Sequence, residues 1–352
     1  MGERVPDHPA PGTTPHRRRP RYSGKYPRRF AEKYKEHNPE RYAETVAKVQ
    51  ASGKTAAGTH RPVMPNETLD ILSPKPGEII VDCTLGFGGH ARELLPRIQP
   101  GGLLIGLDAD PYELPRTMER LRAAGFGEPA FQAIRSNFAG LPKVLASLNI
   151  EAVDAVFADL GVSSMQLDDP ERGFSFKFEG PLDMRMNPQR GQSASDMIQQ
   201  ISAEALASLL AENADEPHAR VVAQALAGSR FQTTTALGRA IRDALPRVAK
   251  EEQENSLRRV FQALRIAVND EFGALNALLR ALPGVLKAGG RAVLLSFHSG
   301  EDRRVKKAFA AGLAAGLYCD IAHELVRPTA AERHANPRSA PAKLRWAIRA
   351  DR

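Results

Sequence analysis

The sequence lacks the marks of a membrane-spanning or disulfide-rich protein. No apolar run approaches the roughly 20 residues that a membrane helix needs. The N-terminus shows no apolar segment of the secretory type. Cysteine occurs only at Cys83 and Cys319, too few for a disulfide framework or a four-cysteine zinc site. We therefore expect a protein of a reducing, cytoplasmic compartment, with no membrane partner and no metal site.

Net positive charge is scarce except at one end of the chain. Residues 1–60 hold 13 Lys/Arg and 6 Asp/Glu, which supplies +7 of the net charge of +8. Aromatic residues recur there at four-residue steps, at Tyr22, Tyr26, Phe30 and Tyr34. Rings between basic residues can stack on unpaired bases, but the composition equally suits a solubilising disordered tail. We predict that residues 1–60 form a basic, flexible extension whose role stays open.

Beyond residue 60, strand-like apolar runs alternate with helical segments. The first four strands are expected at Glu78–Thr84, Leu103–Leu107, Ala130–Ile134 and Ala152–Phe157. Such alternation is typical of a doubly wound, parallel α/β sheet. The sequence therefore predicts an α/β fold.

The alternation stops after the fourth strand. Residues 163–185 are loop-like and residues 193–247 are Ala-rich and helical. The α/β pattern resumes with one long helix at Leu257–Leu282, a Gly289-Gly290 turn and a strand at Ala292–Phe297. We predict a domain formed by residues 61–162 and 259–352, with an inserted, mainly helical subdomain at 163–258.

A glycine loop joins the first strand to the first helix. The loop reads LGFGGH and ends in Gly88, Gly89 and His90. Glycines suit close approach of backbone to a ligand, and a helix N-terminus offers N–H groups to anionic oxygens. Asp108, 20 residues after Gly88, ends the second strand, where a carboxylate can accept ribose hydroxyls. Loop and acid fit either S-adenosylmethionine or a dinucleotide.

The spacing within the loop favours the first of these cofactors. A pyrophosphate-binding loop has the form G-x-G-x-x-G, whereas this chain has G-x-G-G-H. The D-x-T-x-G-x-G form looks like the first motif of class I methyltransferases. Asp159 ends the fourth strand and should face the transferred methyl group or its acceptor; the alternative is a carboxylate that only caps a loop.

Downstream motifs resemble one methyltransferase family closely. They are HRPVM (60–64), DCTLGFGGH (82–90), GVSSMQLDDPERGFSFKFEGPLDMRM (161–186), FQALRIAVNDE (261–271), SFHSGEDRRVK (296–306) and NPRSAPAKLR (336–345). Their order and content are similar to the bacterial small-subunit ribosomal RNA cytosine N4-methyltransferases, the RsmH/MraW family. The resemblance runs from about His60 to the C-terminus.

The resemblance implies a class I, Rossmann-like methyltransferase that uses S-adenosyl-L-methionine. Its implied acceptor is N4 of a cytidine in the decoding centre of 16S rRNA, within the small subunit or a late precursor. The oligomeric state stays open between monomer and homodimer. The implied cofactor-binding residues are Gly88, Gly89, His90, Asp108, Phe138, Asp159 and Gln166. The implied catalytic residues are Asp159 and His298, and a set of arginines offers phosphate contacts: Arg172, Arg185, Arg258, Arg259 and Arg265.

The chemistry of the two cysteines and the departures from the family pattern bear on alternative functions. Methylation at cytosine carbon 5 would need a thiolate in a Pro-Cys loop, which neither cysteine provides. The chain departs from the family pattern at residues 213–216, at 255–257 and at Gly300. If those segments contact RNA, we expect this chain to bind its RNA substrate differently from other members of the family. An RNA-binding assembly factor without turnover and an NAD-dependent oxidoreductase therefore stay open.

Overall fold

The computed structural model describes residues 62–351. The predicted extension at 1–60, with His60 and Arg61 of the HRPVM motif, lies outside the described residues. The described part contains one seven-stranded sheet in the order β3-β2-β1-β4-β5-β7-β6. The strands are β1 (Ile79–Asp82), β2 (Leu103–Asp108), β3 (Phe131–Arg135), β4 (Val153–Asp159), β5 (Leu286–Ser296), β6 (Tyr318–Ile321) and β7 (Lys343–Arg349).

Thirteen α-helices accompany the sheet within residues 62–351. Those before β5 are α1 (Pro65–Leu72), α2 (Gly89–Ile98), α3 (Glu113–Ala123), α4 (Leu141–Ser147), α5 (Ser164–Asp168), α6 (Ala194–Gln200), α7 (Ala203–Ala214), α8 (Ala219–Leu226), α9 (Thr234–Ala244), α10 (Lys250–Val268) and α11 (Glu271–Val285). Those after it are α12 (Ser299–Ala314) and α13 (Ala330–Ala335). Within the described residues, no helix is both long and apolar enough to cross a membrane.

Strands β1 to β5 are parallel, and β7 runs antiparallel between β5 and β6. Both faces of the parallel strands are covered, so most strand residues are apolar. Along β4, Val156 and Ala158 pack into one core, and Ala155 and Phe157 pack into the core on the opposite face. This period of two follows from the pleat of a strand. The predicted Rossmann-like α/β fold is confirmed.

The prediction of a single helix at Leu257–Leu282 is wrong. The chain forms two helices, α10 and α11, because Asp270 adopts a left-handed backbone conformation with φ of 47°. Asn269 stabilises the break by donating its side-chain amide to the carbonyls of Met184 and Arg265, at 2.8 and 2.9 Å. The break places Glu271 at the start of α11, beside the ends of the strands.

The Gly289-Gly290 turn lies within β5 rather than before it. The strand begins at Leu286, and its pairing with β4 shifts register between Val153 and Ala155. Gly289 has a φ of 68°, a conformation that glycine adopts without strain. The turn is therefore an irregularity inside a longer strand.

A third apolar core lies among helices α6 to α10. Leu206, Leu210, Val222, Leu237 and Leu257 are each fully buried in it. Residues 163–185, predicted as loop, also contain α5 and a short 3-10 helix at Pro170–Arg172. The domain boundaries at 163 and 258 stay a prediction, and the second of them falls inside α10.

A buried ion pair joins the loop after β2 to the segment that leads into the helices. Asp110, with a side chain 2% exposed, accepts hydrogen bonds from Arg172 at 2.7 Å and from the Gln166 amide at 2.9 Å. Arg172 also donates to the carbonyls of Arg185 and Met186. The guanidinium therefore connects three separate stretches of chain.

We predict that Arg172→Met lowers the free energy of unfolding by about 3 kcal/mol, because Asp110 stays buried without its cation. Urea unfolding followed by circular dichroism measures the change. Arg185→Met is the matched control: its pair with Asp183 is more exposed, with both side chains 23% accessible, and should contribute less than about 1 kcal/mol. Equal losses in the two variants would contradict the prediction.

Candidate active site

A cavity of about 690 Å³ opens beyond the carboxyl ends of the parallel strands. Its walls include the segments that follow β1, β2 and β4, together with residues of α10, α11 and the segment that follows α13. The chain order of the strands reverses between β1 and β4, since β2 lies on one side of β1 and β4 on the other. Open α/β sheets bind ligands at such a switch point.

The glycine loop after β1 forms one wall of this cavity. Gly86 and Gly88 have φ angles of 48° and 81°. Gly86 lines the cavity and Gly88 does not. A Cβ atom on Gly88 would lie 2.9 Å from Cγ2 of Thr117, so this residue allows the loop to pack on α3. The two glycines predicted to bind the cofactor therefore differ in position. Gly89 lines the cavity, whereas Gly88 shapes the loop behind it.

His90 lies in the first turn of α2 and lines the cavity while being 7% exposed. Its Nε2 atom lies 3.0 Å from the carbonyl oxygen of Val63. The ring centroid is 4.4 Å from that of Phe157. The side chain thus fastens the segment before α1 to the glycine loop, a contact that the sequence did not indicate.

Asp108 joins the ends of two strands. Its carboxylate accepts hydrogen bonds from the backbone N–H groups of Gly86 and Asp110, each at 2.8 Å. Burial raises the pKa of this carboxyl to about 6, against the lowering effect of those hydrogen bonds. Asp108 lines the cavity beside the glycine loop, where the sequence placed it.

Phe138 and Gln166 both line the cavity. Phe138 begins a short 3-10 helix after β3 and is half-buried. Gln166 uses both ends of its amide within the protein: Oε1 accepts from the N–H of Ser163 at 2.9 Å, and Nε2 donates to Asp110. Gln166 therefore lines the cavity in an orientation that is fixed by a capping box and by the ion-paired carboxylate of Asp110.

Asp159 ends β4 at the floor of the cavity. Its backbone N–H donates to the Thr84 hydroxyl at 2.6 Å. Its Oδ1 atom is buried and has no hydrogen-bond partner among the described residues. Burial, then the nearby charges of Asp82 and Glu301, raise the pKa of Asp159 to about 8. Asp82 is affected in the same way, and burial raises its pKa to about 7.

His298 and Glu301 lie where β5 passes into α12. Glu301 lines the cavity, whereas His298 does not. The two are linked, because His298 Nε2 lies 3.2 Å from Glu301 Oε1. Neither ring nitrogen of His298 has a well-aligned hydrogen-bond partner among residues 62–351. The predicted catalytic histidine therefore reaches the cavity only through Glu301.

Sequence inspection did not single out Glu271 as a partner of Arg265. The Arg265 guanidinium donates to both carboxylate oxygens of Glu271, at 2.8 and 2.9 Å. Both residues line the cavity. Among the described residues, one group of potential metal ligands occurs, formed by Glu271, His298 and Glu301 with ligand atoms within 4.8 Å. The bidentate pairing with Arg265 already neutralises Glu271.

The five candidate phosphate-binding arginines separate into two kinds. Four form ion pairs with carboxylates: Arg172 with Asp110, Arg185 with Asp183, Arg259 with Glu252, and Arg265 with Glu271. Arg258 is exposed, lines the cavity, and donates to the Asn255 side chain at 2.8 Å. Arg258 is therefore the member of the five most available to an anionic ligand.

The three segments that depart from the family pattern meet in space. Glu216 is 3% exposed and accepts a hydrogen bond from the Ser256 hydroxyl at 2.8 Å. The adjacent Asp215 accepts from Ser299 at 3.3 Å and from Arg303 at 3.1 Å. Residues 213–216 thus contact the segment at 255–257 and the residue next to Gly300.

Comparison with known proteins places this site in a family context. The model of the MraW methylase family matches residues 57–350. Ribosomal RNA small subunit methyltransferase H 1 of Agathobacter rectalis is 45% identical over 345 residues, covering 96% of this chain and 98% of that protein. Ribosomal RNA small subunit methyltransferase H 2 of Alkaliphilus metalliredigens is 47% identical over 342 residues, covering 95% of this chain and 97% of that one.

We predict that the ligand-free protein loses stability as pH rises from about 5 to 8. Asp82, Asp108 and Asp159 have pKa values above those of an unfolded chain, so the folded state binds more protons in this window. Each extra proton contributes at most about 1.4 kcal/mol per pH unit to the slope. Urea unfolding at several pH values measures it.

Asp82→Asn should flatten this dependence, because the amide keeps the acceptor for the Thr84 N–H without titrating. Asp70→Asn, on the exposed side of α1, should leave the slope unchanged. Stability that rises across the window would show that these carboxyls are ionised in the folded protein.

Proposed function

The chain belongs to the MraW methylase family, and we propose that it methylates the exocyclic N4 amine of a cytidine in small-subunit ribosomal RNA. As a member of this family it is a methyltransferase with S-adenosyl-L-methionine as its methyl donor. The observation that carries the proposal is a single cavity with two chemically distinct ends. A glycine loop and Asp108 lie at one end, and the buried carboxyls of Asp159 and Glu301 lie at the other.

The first end fits the methyl donor, which supplies a methyl group on a positively charged sulfur when bound. The backbone of Gly86 and Gly89 leaves space for a ligand beside the start of α2. Asp108 is placed to accept the ribose hydroxyls, and Phe138 offers a ring to the adenine. Gln166 orders the loop at 163–168 next to the nucleoside. We assign Gly88 and His90 the task of shaping and fastening this wall.

The second end fits the amidine edge of cytosine. A carboxyl that keeps its proton near neutral pH has one donor and one acceptor. Asp159 can therefore donate its hydroxyl to ring N3 and accept an N–H of the N4 amine with its other oxygen. The same contact holds the amine in place, and positioning is a major part of catalysis for such a weak nucleophile.

We propose that the substrate is 16S rRNA in the decoding centre of the small subunit or of a late precursor, in the cytoplasm. Curated relatives carry the name ribosomal RNA small subunit methyltransferase H. Within the chain, exposed Lys177 and Arg258 border the cavity and offer charge to RNA phosphates. The departures from the family pattern leave Asp108, Asp159 and the glycine loop unaltered.

The proposal predicts that purified protein adds N4-methylcytidine to small subunits from cells that lack it. Mass spectrometry of rRNA nucleosides measures the product. Asp159→Ala should lower the rate about 100-fold, because the amine loses its hydrogen-bond partner. Asp154→Ala is the matched control, since Asp154 lies at the opposite end of β4 and pairs with Lys287.

Binding of S-adenosylmethionine without any methylated nucleoside would instead support an RNA-binding assembly factor. Preferential binding of NAD in a competition assay would support an oxidoreductase. Equal activity of the Asp154 and Asp159 variants would remove Asp159 from the acceptor site.

A further inference from the structure

Glu301 is a cavity-lining carboxylate held in one orientation. It lies in the first turn of α12, directly after β5, and is 2% exposed. Its Oε2 atom accepts the backbone N–H of Phe297 at 2.9 Å, while Oε1 faces His298 at 3.2 Å. Such a fixed group at the border of a reaction cavity has a defined direction toward any ligand.

The charges around Glu301 differ from those around Asp159. Burial raises the pKa of Glu301, but the contact with His298 and the charge of Arg265 outweigh it and hold the pKa below its ordinary value. Asp159 has the carboxyls of Asp82 and Glu301 as its charged neighbours. Negative charge in this part of the cavity is therefore stabilised on Glu301.

The fixed position of Arg265 contributes to this difference in charge between the surroundings of Glu301 and Asp159. Its half-buried guanidinium is held by two hydrogen bonds to Glu271 at the start of α11, which fix its position at the cavity. The fixed cation acts on Glu301 as well as on Glu271. Asp159, by contrast, has an oxygen without a hydrogen-bond partner among the described residues. Two neighbouring carboxyls thus have separate environments, an arrangement that divides acid and base roles.

We propose that Glu301, rather than Asp159, accepts the proton that the N4 amine loses on methylation, with His298 and Arg265 as positioning residues. The inference rests on the proposed function. As the amine lone pair forms the new N–C bond, the bond between carbon and the sulfonium sulfur breaks and its electron pair stays on sulfur. The nitrogen becomes positively charged, one N–H bond breaks, and an O–H bond forms on Glu301.

The roles of the two carboxyls then complement each other. Asp159 keeps its proton and holds the N3 and N4 edge of the base, so it has no free capacity for a second proton. Glu301 is ionised and lies close enough to influence Asp159 electrostatically. His298 stands behind Glu301, with its Nε2 atom 3.2 Å from Oε1.

The test compares Glu301→Gln with Asp159→Asn in single-turnover methylation of small subunits. Glutamine keeps the acceptor for the Phe297 N–H but cannot accept a proton. We expect Glu301→Gln to lower the rate by about 100-fold or more, with unchanged affinity for S-adenosylmethionine. Asp159→Asn keeps a donor and an acceptor and should lose roughly tenfold. Glu93→Gln, an exposed glutamate on α2, serves as the charge-matched control.

A second pair of measurements separates catalysis from a structural role. Glu301→Asp should recover part of the rate, and added formate should restore activity to Glu301→Ala, because a small carboxylate can enter the cavity. A Glu301→Gln rate within roughly threefold of wild type, or no formate rescue of a folded Glu301→Ala protein, overturns the inference. Absence of methylation by the wild-type protein would instead refute the proposed function itself.

Discussion

The architecture of the site depends on burying several carboxyl groups close together where the strands end. Desolvation disfavours the charged form of each, and mutual repulsion adds to the cost. The fold provides cationic compensation to some of these acids, as with Arg172 at Asp110 and Arg265 at Glu271. Burial without such a partner raises the pKa of others, as at Asp159. The position of the arginines therefore contributes to the different pKa values of these neighbouring acids.

The same arginines connect the sheet to the helical segment. Arg172 reaches Asp110 from the loop before α6, and Arg265 reaches Glu271 from α10 across the break at Asn269 and Asp270. Both pairs border the cavity or carry a residue that lines it. The packing of the helical segment on the sheet and the electrostatics of the cavity therefore depend on the same arginines. Loss of either guanidinium would leave a cavity-lining carboxylate without its cation.

Local patterns in the sequence predicted the parts of the fold that local physics determines. The strands, the glycine loop and Asp108 follow from apolar runs, glycine chemistry and spacing, and they occur where expected. The interruption between α10 and α11 could not be read from periodicity, because it depends on Asn269 bonding to the distant carbonyl of Met184. The separate positions of Gly86 and Gly88 likewise depend on Thr117 in another helix.

Side-chain roles were harder to predict, since they depend on which partners the fold brings together. The sequence predicted His298 as a catalytic residue, yet Glu301 lines the cavity and His298 does not. The departures at 213–216, 255–257 and Gly300 looked independent along the chain, but Glu216 bonds to Ser256 and Asp215 to Ser299. A change in one of these segments therefore alters the partners of residues in or beside the others, a coupling that depends on the folded chain and not on the spacing along the sequence.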